Sequence, residues 1–128
     1  MNDNDIEREI NEKGKTAPRV TPAAIDEAIV GEYFFTAEEG VDGGNRYEMA
    51  GVHFAGIVVP FEHRRGLGLL TFCVLVLRNG FTVTGESACA SPENFDAEIG
   101  RKIARQNAVA KIWPLEGYLL KQRLHDAA

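Results

Sequence analysis

The stretch TFCVLVLRNGFTVTGESA, Thr71 to Ala88, constrains the fold more than any other part of this chain. Asn79-Gly80 is the favoured pair for a two-residue β-hairpin turn, because a type I′ turn needs positive φ at both central positions. That turn sets a register in which Leu77 faces Thr82, Val76 faces Val83 and Leu75 faces Thr84. One face of the hairpin then carries Phe72, Val74, Val76, Phe81 and Val83. The other carries Cys73, Leu75, Leu77, Thr82, Thr84 and Glu86. The first face is expected to be the core, beneath a helix. The second is too apolar for free solvent and too polar for a core. A neighbouring strand cannot cover a face, so a second layer or a second subunit must, and so few elements remain that a subunit is favoured. Cys73, Leu75, Leu77, Thr82 and Thr84 are therefore the expected interface of a homo-oligomer.

After the hairpin, SPENFDAEIGRKIARQNAVAKIW reads as a long helix. Ser91 can cap it, Pro92 suits its first position, and Glu93, Asp96 and Glu98 complement the positive end of the dipole. At about 100° per residue, Phe95, Ile99, Ile103, Ala110 and Trp113 share one stripe, the expected core face. Gly100 borders that stripe. A glycine mid-helix costs about 1 kcal/mol against alanine, so it is expected to permit the close approach of a strand or a partner helix. Pro114 is expected to end this helix at Trp113, leaving LEGYLLKQRLHD as a shorter terminal helix.

Upstream, VTPAAIDEAIV carries Thr21 as an N-cap and Pro22 at the first helical position, with Ile25, Ala28 and Ile29 on one face and Gly31 at the stop. Tyr33, Phe34 and Phe35 are expected to pack into the core where that helix leaves the body. EEGVDGGNR and HRRGLG read as loops, with strand-like content around Val52–Phe54 and Ile57–Val59 between them. Residues 1–19 read as a mobile acidic tail with a fraying helix over Ile6 to Glu12. The expected architecture over 20–128 is a single α+β domain: an N-terminal helix, a small antiparallel sheet built on the hairpin, a long C-terminal helix and a shorter terminal one.

Composition narrows the function classes. At 128 residues the chain is long enough for one domain with a real core. No apolar run approaches the ~20 residues of a membrane span, and the start MNDNDIEREINEKGK is unlike a secretory leader. Two cysteines, Cys73 and Cys89, read as reduced thiols in a cytoplasm rather than a disulfide framework. The net charge of −5 is uneven: residues 1–60 hold 5 Lys or Arg against 12 Asp or Glu, and residues 61–128 hold 9 against 7. An acidic chain is a poor general nucleic-acid binder, since that affinity comes mostly from neutralising phosphates.

No catalytic constellation emerges. His53, His63 and His125 lack metal-ligand spacing, and no cofactor or metal is expected. Cys89 precedes a helix start, where a thiolate would be stabilised, but also reads as a small buried hydrophobe. The GES around Ser87 lacks the second glycine of a nucleophile elbow, and RRGLG lacks the lysine and spacing of a phosphate loop. What is left is a possible anion site. The SPENF helix start offers free backbone N–H groups, Asn94 an amide for a base edge, and Phe81 a ring on which a base could stack. Arg101 and Arg105, one turn apart, could share an anion; against that, Glu98 is placed to pair with Arg101 or Lys102.

Several motifs together resemble the tailed-phage gene-49/gene-66-like family of small proteins: VTPAAIDEAI at Val20–Ile29, NGF at Asn79–Phe81, GESAC at Gly85–Cys89, ENFD at Glu93–Asp96, EIGRKIA at Glu98–Ala104, NA at Asn107–Ala108 and KIWPLEGY at Lys111–Tyr118. The resemblance covers roughly residues 20–36 and 67–124. It implies a phage or prophage origin and expression in the bacterial host cytoplasm, without implying an activity. The architecture is also similar, more loosely, to phage anti-defence sponges of the Thoeris anti-defence type, which are oligomers that bind nucleotide-derived immune signals. Two functions follow as expectations. One is a non-enzymatic homo-oligomeric sponge for a cyclic nucleotide or cyclic ADP-ribose type signal, using Phe81, Asn94, Arg101 and Arg105. The other is an interaction module that binds a host protein through the acidic half of the chain.

Overall fold

Thr21 Oγ1 accepts the backbone N–H of Ala24 at 3.1 Å, and Pro22 takes the first helical position, so the chain enters a helix where the sequence indicates. The computed structural model describes residues 2–49 and 58–128. Its elements are α1 (Asp3–Glu12), α2 (Pro22–Ala28), β1 (Ile29–Thr36), α3 (Ala37–Met49), α4 (Phe61–Gly68), β2 (Leu70–Leu77), β3 (Thr82–Ala88), a 3₁₀ turn (Pro92–Asn94) and α5 (Ala97–Ala127). The strands form one antiparallel sheet in the order β1-β2-β3, and α5 packs against β3 and β2. The α+β class is as expected. Its details relocate the surface available for function.

The hairpin turn holds three residues, not two. Leu77 donates its N–H to the Phe81 carbonyl at 2.8 Å, and Gly80 donates to the Leu77 carbonyl at 2.8 Å. Only Gly80 has a positive φ, +90°, which fits a three-residue loop closed by a left-handed glycine. The Asn79 side chain accepts the Phe81 N–H at 3.0 Å, so asparagine serves here through its amide and not through a left-handed backbone. The register therefore slips by one: Leu75 pairs with Val83, Val76 with Thr82 and Val74 with Thr84.

The two faces are the reverse of the expectation. Thr71, Cys73, Leu75, Leu77 and Val83 are buried against α5, and Phe72, Val74 and Val76 are only half-buried on the far side. Cys73, Leu75 and Leu77 are thus kept dry by the chain's own helix and are not available as an oligomer interface. Thr82 and Thr84 lie on the opposite face, beside Val76 and Val74. The reason lies in α5. Its buried stripe is Gly100, Ala104, Ala108 and Ile112, while Ile99 (55% exposed) and Ile103 remain largely outside. Small side chains let the helix backbone descend onto the strands: a Cβ on Gly85 would sit 2.1 Å from the Ala104 carbonyl oxygen. Gly100 makes the strand approach the sequence suggests, with its missing Cβ position 3.1 Å from Thr71 Oγ1.

α5 begins at Ala97, capped by Asp96, whose carboxylate accepts the Ile99 N–H at 3.0 Å. It runs through Pro114 without a break, so the expected shorter terminal helix is the second half of α5. Asn107 reaches sideways and donates to the Glu86 carbonyl at 2.8 Å. The bonded pairs of the hairpin leave the Thr82, Thr84 and Glu86 backbone groups facing outward, so Asn107 blunts that free edge.

The aromatic run lies in β1, which follows α2 directly. Phe34 pairs with Cys73 on the α5 side, and Tyr33 and Phe35 pair with Val74 and Phe72 on the other. The glycine-rich loop is helix α3, because TAEE forms a capping box: Thr36 Oγ1 accepts the Glu39 N–H at 3.2 Å and Glu39 accepts the Thr36 N–H at 2.9 Å. HRRGLG falls in α4, which Arg64 ties to α3 by ion pairs with Glu38 and Asp42 at 3.2 and 3.0 Å. The strand-like content at Val52–Phe54 and Ile57 lies outside the described residues; Val58 and Val59 have no regular structure. The helix expected over Ile6 to Glu12 starts earlier, at Asp3, with Asn2 closing a capping box at the start.

Candidate interaction surface

The four residues expected to hold a ligand do not converge. Phe81 sits at the turn end of β3 and Asn94 beyond its other end, roughly 20 Å away at strand rise. The helix start at SPENF is a separate 3₁₀ turn, and the true start of α5 is taken by the Asp96 carboxylate. Arg105 is held by Glu32 of β1, with Nε and Nη2 at 2.8 and 2.7 Å from one carboxylate oxygen. Lys102, not Arg101, pairs with Glu98, at 3.3 Å.

The same compensation recurs across the molecule. Arg19 pairs with Glu7, Arg64 with Glu38 and Asp42, and Arg78 with Glu116 at 3.2 Å. Arg101 and Arg123 make no ion pair among the described residues, yet 22 positions separate them on α5, about 33 Å. Arg101 and Arg123 therefore cannot grip one phosphate together. The thiols are no more promising as nucleophiles. Burial pushes the Cys73 thiol above its ordinary range, helped by Glu32 nearby, and the Cys89 thiol donates to the Ser91 carbonyl at 3.2 Å. Among the described residues no three His, Cys, Asp or Glu side chains are grouped to hold a metal ion, and no helix is long and apolar enough to cross a membrane.

The chain does present apolar surface. With α5 on one side, the other side of the sheet carries Tyr33 (61% exposed), Phe35, Phe72, Val74 and Val76, edged by Thr82, Thr84 and Glu86. The Phe35 and Phe72 rings stack with centroids 5.5 Å apart, and Gly40 of α3 lies against Phe35, which covers that end. The Val74 and Tyr33 end has no such cover among the described residues. The register alone places these side chains together: β1 and β2 are paired so that every second residue of each points to this face. No lysine or arginine belongs to the three strands, and their one charge on the open face is Glu86.

At the hairpin tip a groove of about 400 Å³ is lined by Leu77, Phe81, Leu115 and Leu119 with Arg78 and Arg123. Phe81 thus belongs to an apolar groove made with the second half of α5, a contact the sequence hides because Pro114 reads as a helix end. The signal for the open sheet face was in the hairpin itself: a strand apolar on both sides needs two covers, and one helix supplies only one.

Among known proteins, a family model described as the phage protein (N4 Gp49/phage Sf6 gene 66) family matches residues 20–124. No curated protein and no solved structure matches the chain.

Proposed function

The chain belongs to the phage protein family of N4 Gp49 and phage Sf6 gene 66, and from that membership and the geometry above we propose that it works by binding a host protein, not by catalysis. The observation that carries this reading is the open side of the sheet, where Tyr33, Val74 and Val76 form an apolar strip without a covering layer among the described residues. Exposed apolar surface of this kind marks a place where another molecule is bound.

Charge selects the kind of partner. The strands contribute Glu86 and no cation to that face, on a chain of net charge −5. A second copy would bring the same acids to the same contact, whereas an apolar element flanked by lysine or arginine would meet complementary charge. Asn107 opposes a further route to self-association, pairing of β3 edges. The residues expected to hold a nucleotide signal are dispersed and in part already neutralised, so the protein-binding reading is the stronger of the two.

The test is retention of a host protein on the immobilised chain. Wild type should retain a discrete protein from bacterial lysate, and Val74→Lys should lose it while melting at the same temperature. Failure of wild type to retain any protein, or equal retention by Val74→Lys, would overturn the reading.

A further inference from the structure

The surface beneath α1 is a better seat than α1 is an occupant. Helix α1 presents Ile6 and Ile10, one turn apart, to a hollow formed by Val20, Pro22 and Trp113. Two polar latches hold it: Trp113 Nε1 donates to Asp3 Oδ2 at 3.2 Å, and the Arg19 guanidinium grips both oxygens of Glu7. Yet no residue of α1 is buried, Ile6 stays 44% exposed, and a half-open groove of about 220 Å³ runs along the contact between helix and body. That is several times the ~30 Å³ share of one liquid water. An apolar seat left so incompletely filled loses the dispersion contacts a fitting side chain would make.

The family match adds an independent point. It begins at residue 20, so Val20, Pro22 and Trp113 lie inside the matched region while α1 lies wholly outside it. The apolar floor of the seat thus lies within the family match, whereas α1 and the Arg19 latch lie outside it.

We propose that this seat is a docking groove for an acidic amphipathic helix of a partner protein, and that α1 is its displaceable resident. The resident shows what the groove selects. Carboxylates at i and i+4 (Asp3, Glu7) meet the indole N–H and the guanidinium, and apolar side chains at i+3 and i+7 (Ile6, Ile10) enter the hollow. A partner helix with the same pattern and larger apolar side chains would fill the space α1 leaves. This surface is distinct from the open sheet face and does not depend on that face binding anything.

Trp113 is the chain's single tryptophan and therefore reports on the seat directly. In the full-length I6D/I10D variant α1 should leave, shifting Trp113 emission to the red and raising its quenching by acrylamide, with circular dichroism showing a folded body. A synthetic peptide of residues 2–15, which carries α1 without the Arg19 of the seat, should reverse the shift saturably. The same peptide carrying Ile6→Phe should bind several-fold tighter, and wild type, its seat already filled, should require about tenfold more of either. Full-length D3N/E7Q, which adds no charge to the seat, should also raise quenching. The proposal is overturned if Trp113 is unchanged in both variants. It also fails if the peptide does not reverse the shift, or if a peptide with the two isoleucines moved to the opposite face binds equally well.

Discussion

Gly85 has no room for a side chain. A Cβ there would lie 2.1 Å from the Ala104 oxygen and 2.3 Å from the Ala108 nitrogen, both main-chain atoms that cannot swing aside. Gly85→Ala is therefore expected to destabilise the protein by about 3 kcal/mol or more, measured by urea unfolding. Gly100→Ala should differ from wild type by no more than about 1 kcal/mol, because its Cβ would meet the Thr71 side chain at 3.1 Å while alanine favours the helix. Equal losses at the two sites would refute this account of the helix–sheet contact. It also explains several motifs read from the sequence: Gly85, Gly100, Ala104 and Ala108 make the close approach, and Asn107 secures it through Glu86. Gly100 stood out because glycine is costly mid-helix. Gly85 did not, because glycine in a strand beside a turn has many explanations and only the helix above it selects one.

At the scale of elements, α5 continues through a residue that should stop it. Pro114 can donate no hydrogen bond to the preceding turn and crowds the carbonyl of Ala110. The second half of the helix is held by other means, notably Glu116 on Arg78 at 3.2 Å and Leu115 and Leu119 beside Phe81. Pro114→Ala is expected to raise stability by about 1–3 kcal/mol in thermal unfolding followed by circular dichroism; a loss would mean that the proline is needed to seat those contacts. Helix α1 should respond to acid. The Arg19 guanidinium holds the Glu7 carboxyl below the usual carboxylate range. A carboxyl depressed in the folded state stabilises docking fully above its free value of about 4.3, and that contribution is lost as pH falls through the lower folded value. Trp113 emission should therefore move to the red below about pH 4.3, before the sheet melts.

For the whole molecule the deciding question is which layer covers each side of the sheet. Leu75 is wholly buried under α5, and Val74, its neighbour in sequence, looks the other way. Leu75→Lys should cost at least about 3 kcal/mol or prevent folding, because it drives a charge beneath the helix. Val74→Lys should stay within about 1 kcal/mol of wild type in the same denaturation experiment. The reverse ranking would restore the view that the leucines face a second subunit. As the layers stand, the molecule is two-layered where the three strands meet α5, and the Tyr33 and Val74 end of the other side is uncovered among the described residues, on a chain whose acids outnumber its bases.

By itself the sequence determined that the chain is α+β, that a hairpin lies between Thr71 and Ala88, that a long helix follows it, and that one strand is apolar on both sides. These are local properties, set by turn chemistry, capping and periodicity. Only the tertiary structure decided which side of that strand is the core. The large apolar residues Ile99 and Ile103 suggested one helix face, and the small ones, Gly100, Ala104 and Ala108, won, because closeness of backbones across Gly85 buries more of Leu75 and Leu77 than bulky side chains held at arm's length could. That choice involves residues far apart in the chain, and no short stretch of sequence contains it.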